Sequence, residues 1–89
     1  MIKRTFLMRG KERHEFMVYF ERIGGIPSDL PDGAIIFKGG PWTARIGPQT
    51  VYMLRTIPFP EVEVTIEAED EVFEALLKDY RIMFLTAGG

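Results

Sequence analysis

From Glu61 to Glu67 polar and apolar positions alternate strictly, with Glu61, Glu63, Thr65 and Glu67 on one side and Val62, Val64 and Ile66 on the other. A period of two predicts a strand with one wet face and one dry face. After Ala68 the period lengthens, and Val72, Phe73, Leu76, Leu77, Tyr80, Met83 and Phe84 recur at helical spacing as one broad apolar stripe. Glu69, Asp70 and Glu71 stand where that helix begins, at the positive end of its dipole. A strand and a helix with one apolar face each must bury those faces on each other or on a shared partner, and the rest of the chain has to supply the remainder of that packing.

Ahead of this pair, residues 2–8 mix β-branched, aromatic and apolar types and predict a strand stopped by Gly10. The pattern then turns helical from Lys11 to Ile23, with Phe16, Phe20 and Ile23 on one side, Glu12 and Glu15 near the start, and Arg22 near the end. Gly24-Gly25 supplies the left-handed residue that closes many helices. Two prolines and an Asp-Gly predict a loop over residues 26–33. Strands are expected over 34–38, 42–46 and 50–57, the last two joined as a hairpin by Gly47-Pro48-Gln49, with Pro58-Phe59-Pro60 breaking the ladder afterwards. The strand over 50–57 is apolar on both faces, which predicts a place in the middle of a sheet or beneath a partner. The order is strand, helix, four strands, helix. It predicts a single α+β domain over residues 1–89, with two helices on one face of an antiparallel sheet.

Composition agrees: 46% apolar and 27% charged residues in a chain of 89 are values of one globular domain. The absence of cysteine excludes disulfides, thiolate metal sites and a cysteine nucleophile. No segment has the roughly 20 apolar residues of a bilayer span, and Arg9 closes the N-terminal apolar run short of a signal-peptide core, so a cytoplasmic protein is expected. A formal charge of −2 gives no reason to bind nucleic acid. The charges are nevertheless sorted, with Lys3, Arg4, Arg9, Lys11 and Arg13 early and Glu61, Glu63, Glu67, Glu69, Asp70, Glu71 and Glu74 late. They either attract each other within the fold or between subunits, or form a docking surface.

Candidate chemistry is sparse. His14 stands alone beside Glu12 and Glu15, without further ligands for a metal or an orienting partner for catalysis. The carboxylates of Glu61, Glu63 and Glu67 lie on the wet face that solubility requires. Gly24-Gly25 and Gly39-Gly40 lack the context of a phosphate loop and read as cap and turn. Trp42, Tyr52, Arg45 and Arg55 are the ingredients of a base-stacking surface, against which the acidic total argues. Two features point outward. Ile82, Met83, Phe84 and Leu85 are apolar on every side of the second helix, more than one sheet can cover, which predicts a subunit or partner contact. The chain then ends on Gly88-Gly89, the terminus of ubiquitin-like sulfur carriers.

Arg4-Thr5-Phe6, the aromatic helix closing on Gly24-Gly25, the strand Gly33-Ala34-Ile35-Ile36-Phe37, Ile57-Pro58 before the Glu/Val alternation, the acidic helix start and the glycine tail together resemble the C-terminal domain of MoaD-related proteins. In that family the domain follows a carrier like the small subunit of molybdopterin synthase, and no such carrier is expected ahead of this chain. The resemblance implies a fold like the TATA-binding-protein repeat, in the order already read from the pattern. It also implies an association with molybdenum-cofactor synthesis, and it brings no catalytic residue, metal or cofactor.

The leading expectation is therefore a non-catalytic interaction domain that self-associates near Ile82 and Leu85 and serves molybdopterin synthesis. A second reading is a sulfur carrier acting through Gly88 and Gly89, which requires a strand before the glycines and a hairpin at the start of the chain. A third is a small-molecule domain with a pocket between sheet and helices lined by Trp42, Tyr52 and Phe59.

Overall fold

The strand that alternates so strictly is the spine of the molecule. In the computed structural model, which describes residues 1–84, it runs from Ile57 to Ala68 as β6. The elements in chain order are β1 (Ile2–Arg9), α1 (Arg13–Arg22), β2 (Ile26–Asp29), β3 (Ile35–Lys38), β4 (Trp42–Ile46), β5 (Thr50–Leu54), β6 and α2 (Asp70–Phe84). All strand pairs are antiparallel, in the order β1-β6-β4-β3-β2, with β5 paired to β6 as well. The α+β class and the order of a strand, a helix, a run of strands and a second helix are as expected, with five strands in the run where four were predicted. Leu85, Gly88 and Gly89 lie outside the described residues.

Register fixes which side chains face the helices. Val62, Val64, Ile66 and Ala68 of β6 stand beside Trp42, Ala44 and Ile46 of β4, then Ile35 and Phe37 of β3, and all are buried. Against this floor α1 lays Phe16, Tyr19 and Phe20, and α2 lays Phe73, Leu76, Leu77, Tyr80 and Phe84. Rings fill the layer: Tyr80 lies 5.3 Å from Phe6, 6.0 Å from Phe20 and 5.1 Å from Phe84, centroid to centroid. Each fully buried ring contributes about 1.5–3 kcal/mol through removal from water, and such aromatic pairs add about 0.5–1.5 kcal/mol.

Both double-glycine turns serve the same side chain. Gly24, at φ 101°, ends α1 as expected, while a Cβ on its neighbour Gly25 would meet the Trp42 ring at 2.8 Å. Likewise Gly40 takes φ 90°, and a Cβ on Gly39 would come within 2.0 Å of the indole. Cap and turn therefore account for half of each pair, and the other half is room for Trp42.

Three local expectations are corrected. Ile26–Asp29 is a strand, not a loop, pairing with β3 at the edge of the sheet, where a proline can be accommodated. Gly47-Pro48-Gln49 does not turn a hairpin. Ile46 stands opposite Val64 and Thr50 opposite Glu61, so β4 and β5 continue along the same edge of β6 with one extra residue between them, a bulge held by Gly47 N–H donating to Glu63 O at 2.9 Å. The hairpin is at Arg55-Thr56, joining β5 to β6, with Arg55 at φ 60°.

Pro58 and Pro60, finally, lie inside β6 and do not break its ladder with β5. Odd residues of β6 turn their backbone groups toward β4 and β5, as the Glu63 carbonyl does, and even ones turn toward β1, as the Pro60 carbonyl does in accepting from Gly10 N–H at 2.9 Å. Both prolines are even, so neither owes β5 a donor.

Candidate interaction surface

Beyond the bulge, β5 and the first half of β6 form a two-stranded arm carrying helices on neither face. Val51 and Met53 pair with Pro60 and Pro58 on the side that continues the helix-bearing face, while Tyr52 and Leu54 pair with Phe59 and Ile57 on the other. The strand expected at the middle of a sheet is thus at its edge. Val51 is 65% exposed and Met53 54% on the first of these faces, and Leu54 50% and Ile57 55% on the other, which places a pair of large apolar side chains in water on each side of the arm. Scattered apolar residues need no explanation, whereas an arm with such a pair bared on both of its faces marks a contact.

The arm is anchored at its base. Gln49 Oε1 accepts from Arg13 N–H at 2.7 Å, tying the bulge to the start of α1, and the Arg13 guanidinium donates to Gly33 O at 2.8 Å. Arg9 at the end of β1 places its Nε 2.7 Å from Glu61 and its guanidinium over the Tyr52 ring. The helix end belongs to the same end of the molecule, because Phe84 packs 4.6 Å from Phe16, three residues along α1 from Arg13.

Of the residues expected at a helix-end contact, Phe84 is core, while Ile82 and Met83 are 59% and 44% exposed. Met83 and the exposed Val18 of α1 line one shallow depression, a second apolar area at that end. His14 is exposed nearby, and no cluster of metal-ligating side chains occurs among the described residues.

The three aromatic residues expected to line a pocket are split. Tyr52 and Phe59 are cross-strand partners on the arm, whereas Trp42 pairs with Ala68 at the far end of β6, buried against Phe20. Rings occupy the space between sheet and helices. Alternation also sends Trp42 and Arg45 to opposite faces of β4, so the tryptophan shares no stacking surface with Arg45.

The uncovered face of the sheet is polar. Lys3, Thr5, Leu7 and Arg9 stand opposite Glu67, Thr65, Glu63 and Glu61, with the Thr5 and Thr65 hydroxyls 3.0 Å apart. Arg45 pairs with Asp32 and reaches Glu63 at 3.8 Å. The Ala34 N–H and then the Arg45 guanidinium hold the Asp32 carboxyl below the usual carboxylate range. The sorted charges thus meet within the fold at Arg9 and Glu61, and at the Met1 amino group and Asp70, 3.0 Å apart.

Sequence reasoning singled out the helix end, of which Ile82 and Met83 are exposed, and the two apolar faces of β5. It missed the arm, since that follows from β4 and β5 sharing one edge of β6, and the bulge between them leaves only Gly47-Pro48 as a local sign.

Fold and surface define a small two-layer α+β domain with an antiparallel sheet and an apolar projecting arm. The chain belongs to the archaeal MoaD-like family, whose model, described as "Archaeal MoaD-like protein", matches residues 4–89. No curated protein and no solved structure matches it significantly. Among the described residues no helix is long and apolar enough to cross a membrane.

Proposed function

We infer that this chain is a non-catalytic interaction domain that works alongside molybdopterin synthesis and associates with itself at the end of the molecule bearing the arm, Ile82 and Met83. The observation that carries the reading is the concentration of exposed apolar side chains there, on a domain whose other sheet face is polar and internally paired. Membership of the MoaD-like family supports the molybdopterin connection.

The sulfur-carrier reading required a strand before the terminal glycines and a hairpin at the start of the chain. Instead α2 runs to Phe84, and β1 is followed by α1, which speaks against it. One experiment separates the two: express the chain with its neighbouring genes, then measure the intact mass and identify what co-purifies. An unmodified Gly89 with a molybdopterin-synthesis protein bound is the expected result. A thiocarboxylate or adenylate on Gly89 overturns it in favour of the carrier.

A further inference from the structure

We propose that the free edge of β5 is a strand-pairing site for a second copy of this chain, the two β5 strands running antiparallel about a two-fold axis through Tyr52. The proposal rests on the reading of the chain as a self-associating domain and names the backbone that does it.

Of the outer edges of the sheet, those of β1, β2 and the arm half of β6, where Pro58 and Pro60 face outward, are protected against pairing, and that of β5 is not. β1 carries Lys3, Arg4 and Arg9, and β2 is four residues long with Pro27 and Asp29. Charges, prolines and shortness are the devices by which natural sheets refuse a further strand. β5 has none of the chemical ones: Thr50-Val51-Tyr52-Met53-Leu54 is uncharged, free of proline and rich in β-formers. Among the described residues β5 has a single strand partner, β6.

The alternation that accommodates Pro58 and Pro60 also says which groups are free. Thr50, Tyr52 and Leu54 turn their backbone toward β6, opposite Glu61, Phe59 and Ile57. Val51 and Met53 therefore present N–H and C=O to the open edge. With Tyr52 at the centre, Val51 of each copy stands opposite Met53 of the other, and each such pair exchanges two backbone hydrogen bonds. An antiparallel pair of identical strands is self-complementary, so one patch serves both copies and closes as a dimer.

Side chains agree with this register. The arm's sole cation, Arg55 at the tip, comes level with Gln49 of the second copy, beside the Glu61 that stands at the base of that arm, and this happens twice. A two-fold axis perpendicular to the sheet keeps all four helices on one face. Val51, Met53, Pro58 and Pro60 of both arms then floor a trough between the two helical layers. A lone two-stranded arm is marginal in water, and pairing makes it part of a four-stranded unit.

The test uses Met53→Pro and Tyr52→Cys. Met53→Pro removes one outward donor and, by the same parity as Pro58 opposite it, leaves the ladder to β6 whole. Light scattering should give twice the chain mass for the unaltered protein and the single mass for Met53→Pro, with an unchanged circular dichroism spectrum. Because the chain has no cysteine, Tyr52→Cys introduces a single thiol. Directly opposed residues lie about 4.5–5.5 Å apart between Cα atoms, within disulfide reach, so mild oxidation should convert this variant to a covalent dimer. Val18→Cys, on α1, should not cross-link.

A folded Met53→Pro variant that stays dimeric overturns strand pairing and leaves self-association elsewhere standing. If Met53→Pro fails to fold, cross-linking decides: covalent dimer through position 52 supports the proposal, and its absence while the protein is dimeric overturns it. A monomeric unaltered protein up to millimolar concentration removes the self-association reading itself.

Discussion

The guanidinium carbon of Arg9 lies 3.8 Å from the centre of the Tyr52 ring, so the last residue of β1 clamps the middle of β5 although β6 runs between those strands. The same side chain holds Glu61 through Nε at 2.7 Å, and it therefore spans the junction where the helix-covered sheet gives way to the bare arm. A cation over an aromatic face adds attraction that neither strand supplies by itself.

Arg9→Ala is expected to loosen the arm and little else. Amide exchange at Tyr52 and Leu54, whose donors face β6, should speed up severalfold, while Val62, Val64 and Ile66 keep their protection. Equal acceleration in both groups would show that Arg9 supports the whole sheet.

Trp42 gives a second expectation, because its indole lies where a Cβ on Gly39 would be, 2.0 Å from Cε2. Gly39→Ala must push back a buried ring flanked by Phe20 and Gly25, at a cost of about 1–3 kcal/mol. Thermal melting checks this, and Gly39→Ala with Trp42→Phe should recover part of the loss if the clash is its cause. No recovery would place the cost in the turn.

The two tyrosines of the core differ in one respect. Tyr19 donates its hydroxyl to Asp79 at 2.5 Å, whereas the Tyr80 hydroxyl is buried without a partner. Burial raises the hydroxyl pKa of both, and for Tyr19 the neighbouring Asp79 raises it further. Tyr80→Phe should therefore raise stability by about 1 kcal/mol, since an unpaired buried hydroxyl is costly. Tyr19→Phe should lower it by a similar amount, because Asp79 loses its donor. Denaturant melts of the pair decide, and destabilisation by Tyr80→Phe would mean that its hydroxyl has a partner.

What the chain's pattern told in advance, and what it withheld, follows from how local each feature is. β6 and α2 were legible because alternation from Glu61 to Glu67 and a stripe from Val72 to Phe84 are periods within one element. The edge strand β2 was not, since Pro27 and Asp29 look like loop residues and only pairing with Phe37 and Ile35 makes them a strand. Pro58 and Pro60 misled for a related reason: their missing donors matter only once it is known which neighbour each residue faces. The two apolar faces of β5 were legible, but they suggested a place in mid-sheet, whereas the strand stands exposed at an edge. Its place on the arm depends on the pairing of Thr50 with Glu61, eleven residues away, for which no local signal exists.

Asp32 yields the last expectation, and its sign follows from its partners. Ala34 N–H donates to one carboxylate oxygen at 3.0 Å and Arg45 to the other, and both bonds favour the charged form, so the folded-state pKa lies below the ordinary value. Stability from this group is fully present above the unfolded carboxylate pKa of about 3.9 and is lost as pH falls through the lower, folded value. Carbon-detected titration of the side chain should show that depressed midpoint. In Arg45→Met the midpoint should rise yet remain below the ordinary value, because the Ala34 amide, the larger cause, is untouched. A return all the way to the ordinary value in that variant would assign the whole depression to Arg45 and show that the turn before β3 relies on a side chain of β4, not on its own backbone.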